Sequence, residues 1–286
     1  MKIRRVAILP SLMTLGNALC GFYAITLTTK ALATGDTGHA MDPNTVMWAG
    51  GFVLLAMVFD ALDGRLARFA RVTSDFGGQL DSVADAVSFG VAPAFLMTWV
   101  VSESLRPDMP ETLQGLLRVT WVCAAVYLGC SLIRLARFNV ENLHDEEAHQ
   151  TFRGLPSPAA AGALVSMIIV LASFWRRDTH GLARHIMLLA LPAAALVLGL
   201  LMVSRFRYSH VLNQFLRGRR PIRHLVLIIL GLGLVVLVRE VMLPVCFVGY
   251  ALSGPVADVI RRWRNRGRPS DGEGEPAPDS PGPAGP

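Results

Sequence analysis

Long apolar runs alternate with short polar segments along this chain. Six of the runs are close to the roughly 20 residues that a helix needs to cross about 30 Å of hydrocarbon. They lie near 9–30, 46–66, 82–102, 115–135, 157–175 and 186–204. The pattern predicts six transmembrane helices.

A seventh apolar stretch, near 224–256, is interrupted by a charged pair that begins at Arg239. The stretch is either one long span or a tight hairpin of two helices, and Pro244, Gly249 and Gly254 favour shorter elements. We expect the hairpin, which makes the protein an all-α integral membrane protein with eight transmembrane helices.

The N-terminus places Lys2, Arg4 and Arg5 before an apolar run, as a signal peptide does. However, this run is longer than the roughly 7–15 apolar residues of a signal peptide, and it contains Asn17. We therefore expect the segment to be retained as the first transmembrane helix.

Composition supports a membrane protein, because 52% of the residues are hydrophobic and 17% are charged, against about 25% charged in soluble domains. With the N-terminus inside, about 20 of the 27 Lys and Arg residues fall in inner segments. Arg176, Arg177 and Arg184 run against this asymmetry. The charge pattern predicts a multi-pass protein of the cytoplasmic membrane and does not favour nucleic acid as a partner, since the basic residues flank apolar runs.

Three regions follow from these patterns: a membrane domain over 1–223, the added hairpin with a basic cytoplasmic end over 224–268, and a tail over 269–286. The tail is rich in Pro, Gly, Asp, Glu and Ser and cannot form a core, so we expect it to be disordered. The four cysteines lie singly in apolar runs without metal-ligand spacing, which argues against a disulfide framework or a zinc site. They are Cys20, Cys123, Cys130 and Cys246.

Four carboxylates fall inside the predicted membrane helices, where charge is costly and usually functional. Asp60 and Asp63 share one face of the second helix, and Asp81 and Asp85 lie one turn apart on the next helix. Two adjacent antiparallel helices would bring all four together near one membrane face. Such a cluster would repel itself, and one or two divalent cations with oxygen ligands are the simplest neutralisation, in an arrangement that suits phosphoryl chemistry.

Small and basic residues accompany the aspartates. Gly64 and Ala67 leave space for a nucleotide or phosphate on the same helix face, and Arg68 could neutralise phosphate charge. Ser74, in the connecting segment, could donate a hydrogen bond to the phosphate. Gly and Ala are also ordinary packing residues in membrane helices, so these positions carry weight only as a set.

The set Asp60-x-x-Asp63-Gly64-x-x-Ala67-Arg68, eight further residues, then Gly77-x-x-x-Asp81-x-x-x-Asp85 resembles the signature of the CDP-alcohol phosphotransferase family at every fixed position. The resemblance implies a six-helix core over roughly 6–204 and transfer of a phosphatidyl or related group from a CDP-linked donor to an alcohol, with release of CMP.

The resemblance also implies residue roles. Asp60, Asp63 and Asp81 would bind metal, and Asp85 would contribute to the metal site and act as general base. Two Mg²⁺ or Mn²⁺ ions would be expected in each active site. Residues that would border CDP-diacylglycerol are Thr14, Asn17, Gly64, Ala67, Arg68 and Ser74. A homodimer in the lipid bilayer is a further implication.

Three further segments resemble the family members that use L-serine as the acceptor: 81–93, Arg134-Leu-Ala-Arg137-Phe-Asn139 and 154–158. Serine carries a carboxylate, so Arg134 and Arg137 are candidates to bind it. Ser82, Ser88 and Asn139 complete the expected acceptor pocket. Arg at a cytoplasmic helix end also follows from topology alone, so position does not decide between the two interpretations.

Two alternatives stay open at the level of sequence. The same chemistry with glycerol 3-phosphate or an inositol acceptor would need further basic residues for a phosphate dianion. A cation transporter would also place carboxylates within the membrane, although the fixed Gly and Ala spacing and the position of the carboxylates near one face argue against it.

Overall fold

A computed structural model gives the structure of the protein and describes residues 2–33, 42–70, 75–105, 111–144, 154–176, 182–206, 208 and 239–266. Eight α-helices and one π-helical segment make up nearly all of these residues, and no strand occurs among them. The helices are α1 Lys2–Ala33, α2 Pro43–Ala70, α3 Asp75–Asp85, α4 Ala92–Ser104, α5 Glu111–His144, α6 Ser157–Arg176, α7 Leu182–Val203 and α8 Arg239–Arg266. The prediction of an all-α protein is confirmed.

Seven helical stretches in the described part of the chain are long and apolar enough to cross a membrane. They are Ser11–Thr29, Pro43–Leu66, Phe76–Ser104, Gly115–Val140, Ser157–Phe174, Ile186–Val203 and Met242–Arg261. The first six correspond to the six apolar runs of the sequence. The protein is therefore a multi-pass membrane protein.

The C-terminal region contains one described helix, α8, which begins at Arg239, within the charged pair that interrupts the apolar stretch. The helix continues through Pro244, Gly249 and Gly254. Prolines persist in membrane helices when a neighbouring group satisfies the carbonyl that they leave open. The first arm of the expected hairpin, at 224–238, lies outside the described residues, as does the tail at 269–286.

One such carbonyl in α8 has a visible partner. Pro255 has no N–H to donate to the carbonyl of Ala251 four residues earlier, and the Tyr208 hydroxyl donates to that oxygen at 2.9 Å. Burial and the neighbouring Tyr250 raise the pKa of Tyr208 to about 12, so its hydroxyl stays protonated. The contact ties α8 to the chain that follows α7.

The same arrangement occurs between α3 and α4, where the helix passes through a π-helical segment, Ala86–Val91. Pro93 cannot donate to the carbonyl of Phe89, and the Tyr127 hydroxyl of α5 donates to it at 2.9 Å. The segment begins directly after Asp85. The sequence predicted one uninterrupted helix here, because a π-helical turn leaves no mark on an apolar run.

α6 is the central helix of the protein. Of its membrane-spanning window, 72% is buried inside the protein, against 11% for α8. Its large buried side chains include Leu164, Ile168 and Leu171. The first residue of α6, Ser157, is therefore held at a fixed place among the surrounding helices.

Candidate metal site

α2 and α3 bring three aspartates together. One carboxylate oxygen from each of Asp60, Asp63 and Asp81 lies within 4.8 Å of the other two, which is a spacing that a shared cation can bridge. On α2 the two aspartates are three residues apart and so share a helix face, as the sequence predicted.

Two oxygens of this cluster are buried without a hydrogen bond from any described residue. They are Oδ2 of Asp63 and Oδ1 of Asp81. A buried carboxylate oxygen without a partner is costly, and hard divalent cations are the usual ligands of clustered carboxylates. The residues present therefore fit a bound cation.

Asp85 is buried beside the cluster and interacts electrostatically with Asp60, Asp81 and Asp63. The side-chain amide of Asn17, on α1, donates to Oδ1 of Asp85 at 3.0 Å. The Ser88 hydroxyl donates in turn to the backbone carbonyl of Asn17 at 2.8 Å. Asp85 is thus oriented by α1.

α1 also supplies Thr14, whose side chain hydrogen-bonds Asp63. Thr14 and Asn17 are three residues apart and face the same side of α1. The resemblance led us to expect both beside the nucleotide, and the structure gives each of them a contact with a site carboxylate as well. The second amide atom of Asn17, Oδ1, is buried with no partner among the described residues.

Arg134 brings positive charge to the site from α5. It interacts electrostatically with Asp85 and Asp60, and with Tyr250 of α8. Its Nη1 donates to the Ser157 hydroxyl at 2.8 Å, while its Nε is buried with no partner among the described groups. Two of the four carboxylates, Asp85 and Asp60, thus interact with one guanidinium, and the site keeps excess negative charge.

Sequence reasoning missed Ser157 and Tyr250 as neighbours of Arg134. The segment that contains Ser157 was visible as a motif, and the structure explains it by the turn at Gly154, whose φ is 90°. The Gly154 N–H donates to the Phe206 carbonyl at 2.9 Å, and that of Leu155 to the Leu201 carbonyl at 3.0 Å. The turn thereby fixes the start of α6 against α7.

The other predicted acceptor residues lie on α3, α5 and the π-helical segment. The Ser82 hydroxyl donates to the Asn139 side chain at 3.0 Å and so links α3 to α5. Ser88 is fully buried against α1, which is the placement of a helix-packing residue. Arg137 is half-buried on α5, one turn after Arg134.

The predicted nucleotide-binding residues on α2 lie just past the cluster. A methyl group added at Gly64 would meet nothing within 4 Å, so space is open beside Asp63. Ala67 and Arg68 lie in the last turn of α2. Ser74 falls outside the described residues.

Known proteins share the sequence that builds this site. A family model described as CDP-alcohol phosphatidyltransferase matches residues 7–201. A Methanocaldococcus jannaschii protein named CDP-diacylglycerol--serine O-phosphatidyltransferase is 30% identical over 213 residues, 74% of this chain and 79% of that protein. Proteins of the same name from Bacillus subtilis and Helicobacter pylori are each 32% identical, over 71% and 64% of this chain and 90% and 68% of their own lengths. The chain belongs to the CDP-alcohol phosphatidyltransferase family.

Proposed function

We propose that this protein transfers the phosphatidyl group of CDP-diacylglycerol to L-serine, giving phosphatidylserine and CMP. The observation that carries the proposal is the carboxylate cluster with unpartnered oxygens beside the half-buried Arg134. The names of the similar proteins and the three matching segments around Asp81, Arg134 and Gly154 support serine as the acceptor.

The metal ligands in this proposal are Asp60, Asp63 and Asp81, with Asp85 contributing, and two Mg²⁺ or Mn²⁺ ions would suit the excess negative charge. When bound, such ions would neutralise charge on the diphosphate and on the departing CMP. In this proposal the open space beside Gly64 accepts the nucleotide part of the donor, and the acyl chains extend into lipid. The sequence motif makes Arg68 and Ser74 the further candidates to contact the phosphates.

Asp85 is the general base of the proposed reaction. The serine hydroxyl gives its proton to the Asp85 carboxylate, and the serine oxygen attacks the phosphorus that carries diacylglycerol. The bond from that phosphorus to the CMP oxygen breaks as the new bond forms. The hydrogen bond from Asn17 holds the Asp85 carboxylate in one orientation. A base with a fixed orientation favours proton transfer.

Arg134 is proposed to bind the serine carboxylate. Its Nη1 is fixed by Ser157, and this pre-orders the planar guanidinium for bidentate contact with an anion. Arg137 and Asn139 lie one turn further along the same helix. An acceptor with a phosphate dianion would need further basic residues at this place.

The site is proposed to face the cytoplasm across the inner membrane. The distribution of Lys and Arg supports this orientation, since the segments on the side of the aspartates hold most of them. The homodimer that the family resemblance implies stays a prediction, as do the domain limits at 223 and 268.

An acceptor screen tests the proposal. Purified protein in detergent would receive radiolabelled CDP-diacylglycerol, Mg²⁺ or Mn²⁺, and serine, inositol or glycerol 3-phosphate in parallel. We expect labelled phosphatidylserine with equimolar CMP, only with serine and only without chelator. Incorporation of another acceptor would overturn the serine assignment, and metal flux in proteoliposomes without CMP release would instead support a cation transporter.

The general base is tested by Asp85→Asn. We expect turnover to fall by at least about 100-fold while CDP-diacylglycerol binding is retained, because the variant keeps the shape of the side chain but not its basicity. Asp42→Asn, which changes an exposed carboxylate at the start of α2, is the matched control and should be as active as the wild type. Wild-type turnover by Asp85→Asn would remove the assignment.

A further inference from the structure

α8 lies outside the region that the family model matches, 7–201, and it packs directly on the central helix. The Phe247 ring occupies the space beside Gly162 of α6. Closer to the end of α7, the Tyr208 ring lies against Gly254, and its hydroxyl holds the Ala251 carbonyl. These contacts fix both the position of α8 and its rotation about its own axis.

Tyr250 precedes Ala251, the residue of α8 that the Tyr208 hydroxyl holds. Its ring is half-buried and lies 5.7 Å from the Tyr208 ring between centroids. Tyr250 also stands within electrostatic range of the Arg134 guanidinium. Because Arg134 is anchored on Ser157, the first residue of α6, the same helix positions both the guanidinium and α8.

The groups around Arg134 are unequal in what they offer a ligand. Asp60 and Asp85 are carboxylates and would repel an anion, whereas Ser157 already accepts a hydrogen bond from Nη1. Tyr250 adds a neutral hydroxyl that can donate, beside the Ser157 hydroxyl that holds Nη1. The Nε of Arg134 is buried with no partner among the described residues, as expected of a donor that hydrogen-bonds a ligand.

We propose that Tyr250 of α8 is part of the acceptor subsite, where its hydroxyl and the Arg134 guanidinium together bind the carboxylate of serine. The inference rests on the proposed function and deepens it. A carboxylate presents two oxygens, and a guanidinium with an adjacent phenol satisfies both while the hydroxymethyl group points to Asp85. Tyr250 is then a specificity-determining residue that a helix outside the matched region provides.

The test is Tyr250→Phe, which keeps the ring on Tyr208 and removes the hydroxyl. We expect the KM for L-serine to rise by roughly 10-fold or more, since a hydrogen bond to a charged group is lost. The KM for CDP-diacylglycerol and the kcat at saturating serine should stay within about twofold. Tyr250→His, which restores a donor at similar size, should recover part of the serine affinity.

A second readout is the preference for L-serine over L-serinamide, which lacks the carboxylate. Tyr250→Phe should lower this preference roughly 10-fold. Tyr23→Phe, which removes a hydroxyl from an exposed ring on α1, is the matched control and should keep the wild-type preference. Thermal unfolding in detergent verifies that all variants fold.

The outcomes separate the two proposals. If the wild type makes no phosphatidylserine, the proposed function fails and this inference fails with it. If the wild type uses serine and Tyr250→Phe keeps both the serine KM and the preference, only the inference is overturned. A parallel rise in both KM values would also overturn it, because that result indicates a general structural role for Tyr250.

Discussion

Two regions of this protein bury polar groups in apolar surroundings, and they treat them differently. At Pro93 and Pro255 the carbonyl four residues earlier accepts a hydrogen bond from a Tyr hydroxyl, at 2.9 Å in both places. At the acidic cluster, carboxylate oxygens of Asp63 and Asp81 are buried with no partner among the described residues. Since an unmet polar group in a membrane costs several kcal/mol, the paired carbonyls stabilise the fold and the unpaired carboxylates indicate a ligand.

The difference predicts opposite effects of substitutions on activity and on stability. Removing a Tyr hydroxyl that donates to one of these carbonyls should lower the stability of the protein. Replacing an aspartate of the cluster should lower the activity of the protein. Without metal, the variant should be no less stable than the wild type, because the wild-type carboxylates repel each other.

The largest effect is expected for Asp81→Asn. Turnover should fall by at least about 100-fold at any metal concentration, since a ligand is lost from the site. In the presence of chelator, the same variant should melt at the same temperature as the wild type or higher, because one repelling charge is gone. Turnover assays and thermal unfolding in detergent give both quantities.

Asp42→Ala is the control for this variant. The Asp42 carboxylate accepts hydrogen bonds from the backbone N–H groups of Asn44 and Thr45, at 3.0 and 3.1 Å, at the start of α2. Its loss should lower stability by about 1 kcal/mol and leave turnover unchanged. Metal-dependent turnover by Asp81→Asn at the wild-type rate would contradict the interpretation of the cluster.

Gly21 and Gly64 give the next largest expected effects, and they compare a tightly packed position with an open one. In Gly21→Ala the new methyl group would lie 2.7 Å from the Ser88 Cα, so α1 and the π-helical segment would have to separate. We expect a loss of about 1–3 kcal/mol of stability. Turnover should fall as well, because α1 carries the Asn17 amide that orients Asp85.

Gly64→Ala is the matched variant at the glycine with open space beside it, next to Asp63. The added methyl group meets nothing within 4 Å, and Ala favours a helix over Gly by up to about 1 kcal/mol. Stability should therefore hold or rise, while the KM for CDP-diacylglycerol increases because the space for the donor shrinks. Equal loss of stability in both variants, measured by thermal unfolding, would contradict the contrast between the packed and the open glycine.

The sequence predicted the acidic cluster better than the hydrogen bonds between Tyr hydroxyls and backbone carbonyls, for a physical reason. Asp60, Asp63, Asp81 and Asp85 lie at helical spacings on consecutive helices, so local periodicity places them together without knowledge of the fold. Six membrane helices likewise followed from run length alone. Intramembrane charge is costly, and this made the cluster conspicuous in the chain.

The hydrogen bonds that support the site join residues far apart in the chain. Asn17 meets Asp85 across 68 positions, and Tyr127 meets Phe89 across 38. No periodicity links such pairs, and a Tyr in an apolar run looks like any other core residue. Pro255 inside α8 is a case of the same kind, since the hydroxyl that donates to the open carbonyl comes from Tyr208.

The smallest effect is expected from removing the hydrogen bond between the Tyr208 hydroxyl and the Ala251 carbonyl. Tyr208→Phe should lower stability by about 1 kcal/mol, because the Ala251 carbonyl loses its donor. In a Pro255→Ala background the new backbone N–H can donate to that carbonyl within α8, so the same substitution should cost less. A double-mutant cycle measured by unfolding in detergent should give a coupling of roughly 0.5–1 kcal/mol. Additive effects would show that the Tyr208 hydroxyl does not compensate for the missing N–H of Pro255, and the parallel with Tyr127 and Phe89 would then fail.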